Sequence, residues 1–267
     1  MTRVLLLLML LAFGCKFVDE RETARGRANL PPTDLIDPVA AADPPFINAA
    51  DLVGISEKIR KDKQAKTKPG GRVFNILAVS GGGSYGAYCA GVLCGWTDSG
   101  SRPSFDVVTG ISTGALIAPF AFLGPKYDSL LKQFYTSVEN KDIYKIRPLW
   151  AVVGESFADN APLAAKIDEV LTPETMQDLA AAHSQGRRLY IGTTEAEGKQ
   201  FIVWDIGAMA ARNGPGDRAL IAKVLLASTA APGLVPSTKI DVAIDGVCHT
   251  ERHVDGGVSQ SLFFRPP

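Results

Sequence analysis

One turn limits what this chain can fold into more than any other feature: residues 110–114, which read Gly-Ile-Ser-Thr-Gly. A run of β-forming residues at 105–109 precedes the turn, and the helix-compatible segment 115–118 follows it. Glycines two positions before and two positions after Ser112 relieve crowding where a strand turns sharply into a helix. Such a turn presents a hydroxyl at the carboxyl edge of a sheet. The pattern therefore predicts an α/β fold with Ser112 as a candidate nucleophile.

A glycine-rich loop precedes this turn by one predicted strand and also opens a helix. Residues 80–86 read Ser-Gly-Gly-Gly-Ser-Tyr-Gly, and backbone amides at the start of a helix can converge on an anion. Gly81, Gly83 and Gly86 match the spacing of a dinucleotide-binding turn, which requires an acidic residue at the end of the second strand. Asp106 instead stands near the start of that strand. The loop is therefore interpreted as an oxyanion hole.

Apolar strand patterns alternate with helical patterns along the rest of the chain. The predicted strands are 74–79, 105–108, 189–192, 201–204 and 242–244, and the later predicted helices are 162–171, 173–183 and 218–228. Thr172 and Asp217 are the predicted N-caps of the last two helices. The apolar stretch 116–123 fits a buried core helix better than an acyl-chain groove. Alternation of this kind predicts a layered α/β domain around a largely parallel sheet.

The first fifteen residues, 1–15, have the pattern of a signal peptide. Arg3 supplies a positive charge, and the apolar run at 4–12 is too short to span a bilayer. Gly14 directly precedes Cys15 after this run, which resembles a bacterial lipoprotein signal. The segment therefore predicts export to the cell envelope and a membrane anchor through lipid attached to Cys15.

The remainder of the chain divides into two parts. Residues 16–71 are rich in Pro, Ala and charge without a sustained period, which predicts a tether or N-terminal arm, and residues 72–267 are predicted to form the compact domain. Lys+Arg and Asp+Glu are equal at 28 each, so no long-range field favours a nucleic acid as partner. The sequence has no Cys-x-x-Cys or Cys/His spacing typical of a metal site, and neither a metal nor a cofactor is predicted.

A serine hydroxyl needs a base that accepts its proton, and the sequence offers two kinds of base. The three histidines are His183, His249 and His253. His183 closes a predicted helix, and the other two precede Asp255 in what reads as a polar turn. A triad that uses His253 as the base therefore remains open, and so does direct action of Asp255 on Ser112.

Three ordered blocks resemble those of the patatin-like phospholipase family. They are the glycine-rich loop at 81–86, the Gly-x-Ser-x-Gly turn at 110–114 and Asp-Gly-Gly at 255–257. Residues 231–236 also resemble that family's approach to its aspartate, and the similarity spans residues 74–264. The resemblance implies a three-layer α/β/α domain with a central, mostly parallel sheet.

The resemblance also implies roles for individual residues. Ser112 would be the nucleophile and Asp255 the base of a Ser–Asp dyad that works through an acyl-enzyme. The implied oxyanion-hole residues are Gly81, Gly82 and Gly83, and the glycines that support the motifs are Gly86, Gly110, Gly114, Gly256 and Gly257. Tyr85 departs from the family, which usually carries Arg or Lys at that place, so the resemblance supports acyl transfer more strongly than it supports an anionic head group on the substrate.

The resemblance implies an acyl hydrolase that cleaves carboxylic esters, with a lipid or another ester as its substrate. Two alternatives stay open at this point. One is a surface-anchored lipoprotein that has the same fold and no catalytic activity. The other is an esterase with a Ser-His-Asp triad.

Overall fold

Short apolar segments form several strands of this protein. The structure is a computed structural model, and it describes residues 74–136, 144–146, 156–244 and 247–264. The strands are β1 (Ile76–Val79), β2 (Val107–Ile111), β3 (Lys145–Ile146), β4 (Ala158–Asp159), β5 (Arg188–Glu195), β6 (Gln200–Asp205), β7 (Thr238–Ile244) and β8 (Val247–Asp255).

Helices connect most of these strands. They are α1 (Gly86–Asp98), α2 (Thr113–Leu123), α3 (Asp128–Thr136), α4 (Ala161–Val170), α5 (Pro173–Ser184), α6 (Ile206–Arg212) and α7 (Asp217–Ser228), with short 3₁₀ turns at Gly83–Tyr85, Pro125–Tyr127 and Gly256–Val258. The described residues from Asn75 onward belong to one compact unit.

Six of the strands form one mixed sheet in the order β1-β2-β5-β8-β7, in which β6 also pairs with β5. Strands β1, β2 and β5 are parallel, whereas β6, β7 and β8 pair antiparallel with their neighbours. Every residue of β2 is buried, as expected for a parallel strand that is covered on both faces. The predicted α/β fold is confirmed, with parallel strands at its centre and an arrangement consistent with three α/β/α layers.

Three strands share the two edges of β5. Strand β6 pairs with residues 190–195 and therefore occupies one edge. The other edge is taken first by β2, which pairs as far as Ile111 opposite Gly192, and then by β8, which ends with Asp255 opposite Thr193. The carboxyl ends of β2 and β8 therefore meet on one edge of β5.

Two clusters of buried apolar side chains cover the two faces of β2. The larger cluster includes Val108 together with residues of helices α1, α2, α4, α5, α6 and α7. The smaller one comprises Val107, Ile111, Tyr190 and Phe263. Because successive residues of a strand point to opposite faces, the two clusters lie on opposite sides of the sheet.

The predicted helices 162–171, 173–183 and 218–228 are confirmed to within one residue at each end as α4, α5 and α7. Thr172 caps α5, because Thr175 N donates to Thr172 Oγ1 at 3.1 Å. Most residues of α2 are buried, so the stretch 116–123 is mainly a core helix, as predicted.

Two local predictions are wrong. Gly216, not Asp217, is the N-cap of α7, and the buried Asp217 carboxylate instead accepts hydrogen bonds from Arg212 Nη2 at 2.6 Å and Gly214 N at 2.6 Å. His249 and His253 lie in β8, not in a polar turn, because antiparallel pairing with β7 supplies backbone partners to this polar segment.

The predicted signal peptide 1–15, its Cys15 and the arm 16–71 lie outside the described residues. Among the helices that the structure describes, none has the length and apolar character needed to cross a membrane.

Two glycines allow close contact between β2 and α2. A Cβ on Gly110 would lie 2.5 Å from Gly114 O and 2.8 Å from Ala118 Cβ. A Cβ on Gly114 would in turn collide with Val79 O, at the carboxyl end of β1. Helix α2 can therefore pack closely on β1 and β2 only because Gly110 and Gly114 have no side chains.

We expect Gly110→Ala to lower the free energy of unfolding by about 1–3 kcal/mol, because the added methyl group overpacks this contact. The matched control is Gly91→Ala in α1, where a Cβ meets nothing within 4 Å. That change should raise stability by about 0.5–1 kcal/mol, since alanine favours a helix. Urea unfolding measures both, and equal effects of the two variants would contradict the packing argument.

Candidate active site

Ser112 occupies a strained turn between β2 and α2. Its backbone has φ 56° and ψ −127°, a conformation that costs a residue other than glycine about 1–3 kcal/mol. The strained backbone is held by two hydrogen bonds: Ser112 N donates to Ser228 Oγ at 3.0 Å, and Ala115 N donates to Ser112 O at 2.9 Å. The turn is the strand-to-helix elbow that the sequence predicts.

The Asp255 carboxylate lies directly against the Ser112 hydroxyl. Ser112 Oγ donates a hydrogen bond to Asp255 Oδ2 at 2.6 Å. Gly257 N donates to Asp255 Oδ1 at 2.7 Å, and Asp255 N donates to Ala230 O at 2.9 Å. Each carboxylate oxygen therefore has a donor, and the backbone on both sides of the side chain is fixed.

The surroundings of Asp255 favour its action as a base. The residue is only 9% exposed, and its burial raises the pKa of the carboxyl group above the ordinary value of 3.8. The hydrogen bonds from Ser112 and Gly257 oppose this shift of the pKa, but burial is the larger effect. A raised pKa makes the carboxylate a better proton acceptor for a hydroxyl.

The glycine-rich loop packs against the nucleophile from the other side. A Cβ on Gly81 would lie 3.0 Å from Ser112 Cβ, so the loop backbone approaches this closely only as glycine. Gly82 and Gly83 have φ values of 155° and 55°, which glycine adopts without steric cost. Among the described residues, the amides of Gly81 and Gly82 meet no hydrogen-bond acceptor. The loop thus has N–H groups available to an anion beside Ser112.

Gly86 brings α1 against the first residue of α2. Thr113 Oγ1 and Tyr135 Oη are 2.9 Å apart and share a hydrogen bond. A Cβ on Gly86 would collide with Thr113 Oγ1 and would lie 2.9 Å from the Tyr135 ring. Gly86 therefore holds the loop close to the Ser112 turn, and the Tyr135 hydroxyl supports that turn from α3.

The two glycines after Asp255 have separate physical roles. A Cβ on Gly256 would lie 2.6 Å from Gly192 O, so the turn can pack on β5 only if this residue is glycine. Gly257 supplies the amide that binds the carboxylate, and a Cβ there would lie 3.0 Å from Asp255 Oδ1. Both positions therefore serve the placement of Asp255.

His253 has partners other than the nucleophile. Its ring is fully buried, with Nδ1 3.0 Å from Thr193 Oγ1 and Nε2 3.2 Å from Glu251 Oε2. The Ser112 hydroxyl donates to Asp255 and not to an imidazole. The geometry therefore gives no support to the triad alternative.

Two further residues of the sequence interpretation lie apart from the dyad. Tyr85 is 80% exposed, so its side chain lies in solvent and is not packed in the site. The Asp106 carboxylate accepts a hydrogen bond from Asn75 N at 2.9 Å, just before β2 begins. Asp106 is therefore far along the strand from the loop, and the dinucleotide alternative has no support.

Sequence reasoning missed Ser228 and Tyr135, which contact the Ser112 turn and its neighbour. A weak signal for Ser228 existed, because it ends a predicted helix just before the segment 231–236.

Within the described residues, no group of three or more His, Cys, Asp or Glu side chains could hold a metal ion.

Comparisons with known proteins identify the family of this chain. A family model described as patatin-like phospholipase matches residues 77–266. The crystal structure of VipD from Legionella pneumophila is similar with 12% sequence identity and a TM-score of 0.44, over 72% of this chain and 47% of that chain. This chain thus spans about half the length of VipD, and the comparison with curated proteins gives no match. Since the family model covers most of the chain and all three motifs, the chain belongs to the patatin-like phospholipase family.

Proposed function

We propose that this protein is a serine acyl hydrolase that cleaves carboxylic esters of lipids with Ser112 and Asp255 as a catalytic dyad. The observation that carries the proposal is the hydrogen bond of 2.6 Å from Ser112 Oγ to Asp255 Oδ2. Membership of the patatin-like phospholipase family supports lipid acyl hydrolysis as the class of reaction.

In the first half of the reaction, Ser112 Oγ attacks the carbonyl carbon of the ester. The hydroxyl proton passes to Asp255, and the carbonyl oxygen becomes an oxyanion as the tetrahedral intermediate forms. Backbone amides of the Gly81, Gly82 and Gly83 loop donate to this oxyanion. The intermediate then breaks its bond to the alcohol oxygen, which takes the proton from Asp255 and leaves.

In the second half, water attacks the acyl group bound to Ser112. Asp255 accepts a proton from the water and then returns it to Ser112 Oγ as the bond between this oxygen and the acyl carbon breaks. The products are a carboxylic acid and the free enzyme. The same carboxylate therefore acts as base and then as acid in both halves.

The proposed substrate is an ester with an acyl chain. Tyr85 takes the place where the family usually has a cation, and its side chain points into solvent with 80% exposure. Recognition of a strongly anionic head group at this position is therefore not part of the proposal. The backbone amides of the loop are independent of the side chain at Tyr85.

Ser112→Ala and Asp255→Asn are each expected to lower kcat for a short p-nitrophenyl ester by about 10³-fold or more, because the nucleophile or its base is lost. A fluorophosphonate probe should label the wild-type protein and not Ser112→Ala. The matched control is Asp241→Asn, an exposed aspartate on β7, which should keep wild-type activity. Folded wild-type protein that takes no label would favour the catalytically silent lipoprotein instead.

Asp255→Asn should be at least as stable as the wild type at neutral pH. The pKa of this carboxyl is higher in the folded protein than in the unfolded chain. The free energy of unfolding therefore falls as pH rises from 3.8 through the folded pKa, and it is constant above that pKa. Asparagine removes the buried charge and can still accept the bond from Gly257 N. Thermal unfolding then distinguishes a lost base from a lost fold.

The pH dependence of kcat/KM provides an independent measurement of the base. Asp255 must be ionised to accept the proton, so activity should fall at acid pH with a midpoint above 3.8. An acid midpoint of kcat/KM equal to the pKa of an ordinary exposed aspartate would count against Asp255 as the base. The same midpoint in the residual activity of Asp255→Asn would also count against it.

Export and lipidation at Cys15 are part of the same proposal and rest on the sequence of residues 1–15. Expressed in a bacterial host, the protein should fractionate with membranes, and Cys15→Ala should release it. Cys94→Ala, at a half-buried cysteine of α1, is the control. Mass spectrometry of the N-terminal peptide checks the lipid directly, and an unmodified Cys15 in the membrane fraction would refute the anchor.

A further inference from the structure

Ser228 is a fully buried residue at the end of α7 that forms hydrogen bonds with the Ser112 turn and with β5. Its hydroxyl accepts a hydrogen bond from Ser112 N at 3.0 Å and donates one to Gly192 O at 2.7 Å. The single proton of the hydroxyl is used on Gly192, so the oxygen faces Ser112 as an acceptor. One hydroxyl group therefore joins the nucleophile turn to β5.

This hydroxyl lies where direct pairing between β2 and β5 stops. Ile111 opposite Gly192 is the last pair of the two strands, and the chain then leaves the sheet at Ser112. The Ser228 hydroxyl stands between the next backbone amide and the last carbonyl. It continues the hydrogen bonding of the ladder across a gap that the strained turn has opened.

The same carbonyl also contacts the turn that carries the base. Gly256 packs so closely on Gly192 O that a Cβ would lie 2.6 Å from it, and Asp255 pairs with Thr193, the next residue of β5. The Ser228 hydroxyl links the Ser112 amide to this carbonyl. The Gly192 carbonyl is thus linked to Ser112 through Ser228, and it also contacts the turn that carries Asp255.

We infer that Ser228 is a positioning residue, which fixes the backbone of Ser112 so that its hydroxyl meets Asp255 and the attacked carbonyl carbon. The inference rests on the proposed function. Ser228 does not touch the reacting atoms, and it acts through the amide of the nucleophile. Substrate binding should be independent of it, because the Ser228 side chain is buried.

The test compares Ser228→Ala with the wild type in hydrolysis of p-nitrophenyl butyrate, well below the unfolding temperature of both. Loss of the hydroxyl leaves the Ser112 amide and the Gly192 carbonyl without their partner, and a displaced nucleophile can cost up to about 10²-fold. We expect kcat to fall about 10- to 100-fold with KM unchanged, and labelling by a fluorophosphonate to slow by a similar factor.

The matched control is Ser156→Ala, which removes a buried hydroxyl that donates to Ala158 O at 3.1 Å and not to the nucleophile turn. It should lower the unfolding temperature without lowering kcat. A wild-type kcat in folded Ser228→Ala would overturn the inference. If Ser228→Ala does not fold, Ser228→Cys takes its place, because a thiol bonds more weakly at similar size; a reduced kcat supports the inference and a wild-type kcat overturns it.

The two levels of the proposal fail in different ways. Absence of any Ser112-dependent hydrolysis in the wild type would overturn the proposed function, and the role of Ser228 with it. An active wild type with an equally active Ser228→Ala variant would overturn only the positioning role.

Discussion

The site depends on the way in which two strands share one edge of β5. Strand β2 pairs with this edge as far as Gly192, and β8 takes over from Thr193, so the carboxyl ends of both strands stop against each other. Ser112 follows the end of β2, and Asp255 is the end of β8. Ser112 and Asp255, far apart in sequence, are thus brought together by backbone pairing before any side chain is considered. The hydrogen bond between them is a consequence of this register.

The same junction explains why so many small residues surround the site. A serine in the backbone conformation of Ser112 is strained, and it persists only where the neighbouring structure holds it. Close packing supplies that support: Gly110 and Gly114 let α2 lie against β1 and β2, and Gly86 lets α1 approach Thr113. At each of these positions a Cβ atom would collide with its neighbours, and glycine permits the close contact instead. The strain at one residue is therefore offset by packing at several others, so the conformation of Ser112 depends on the packing around the sheet.

Local patterns in the sequence predicted the elements that carry the site, but not how the strands meet. The strand before Ser112, the glycine turns and helix α7 all follow from period and turn chemistry within short windows. The segment around His249 reads as a polar turn in the sequence, because its polar residues form a strand only through pairing with β7. Asp217 reads as an N-cap in the sequence, but its carboxylate binds Arg212 and Gly214 before the helix instead. Ser228 reads as an ordinary helix-terminal serine until Gly192 and Ser112 are placed beside it. In each of these cases the structure depends on a contact with another element or turn, which a short window of sequence does not specify.

A dyad without histidine requires a carboxylate that is basic enough to take a proton and still ionised when substrate arrives. Burial of Asp255 supplies the first property, because it raises the pKa of the carboxyl group. The Gly257 amide and the Ser112 hydroxyl supply the second, since each donates to a different oxygen of the charged form and lowers that pKa. Removing either donor would shift the carboxyl toward its neutral state, and fuller exposure to water would weaken it as a base. The turn at residues 255–257 therefore holds the aspartate in place and also supplies one of the two hydrogen bonds that lower the pKa of its carboxyl group.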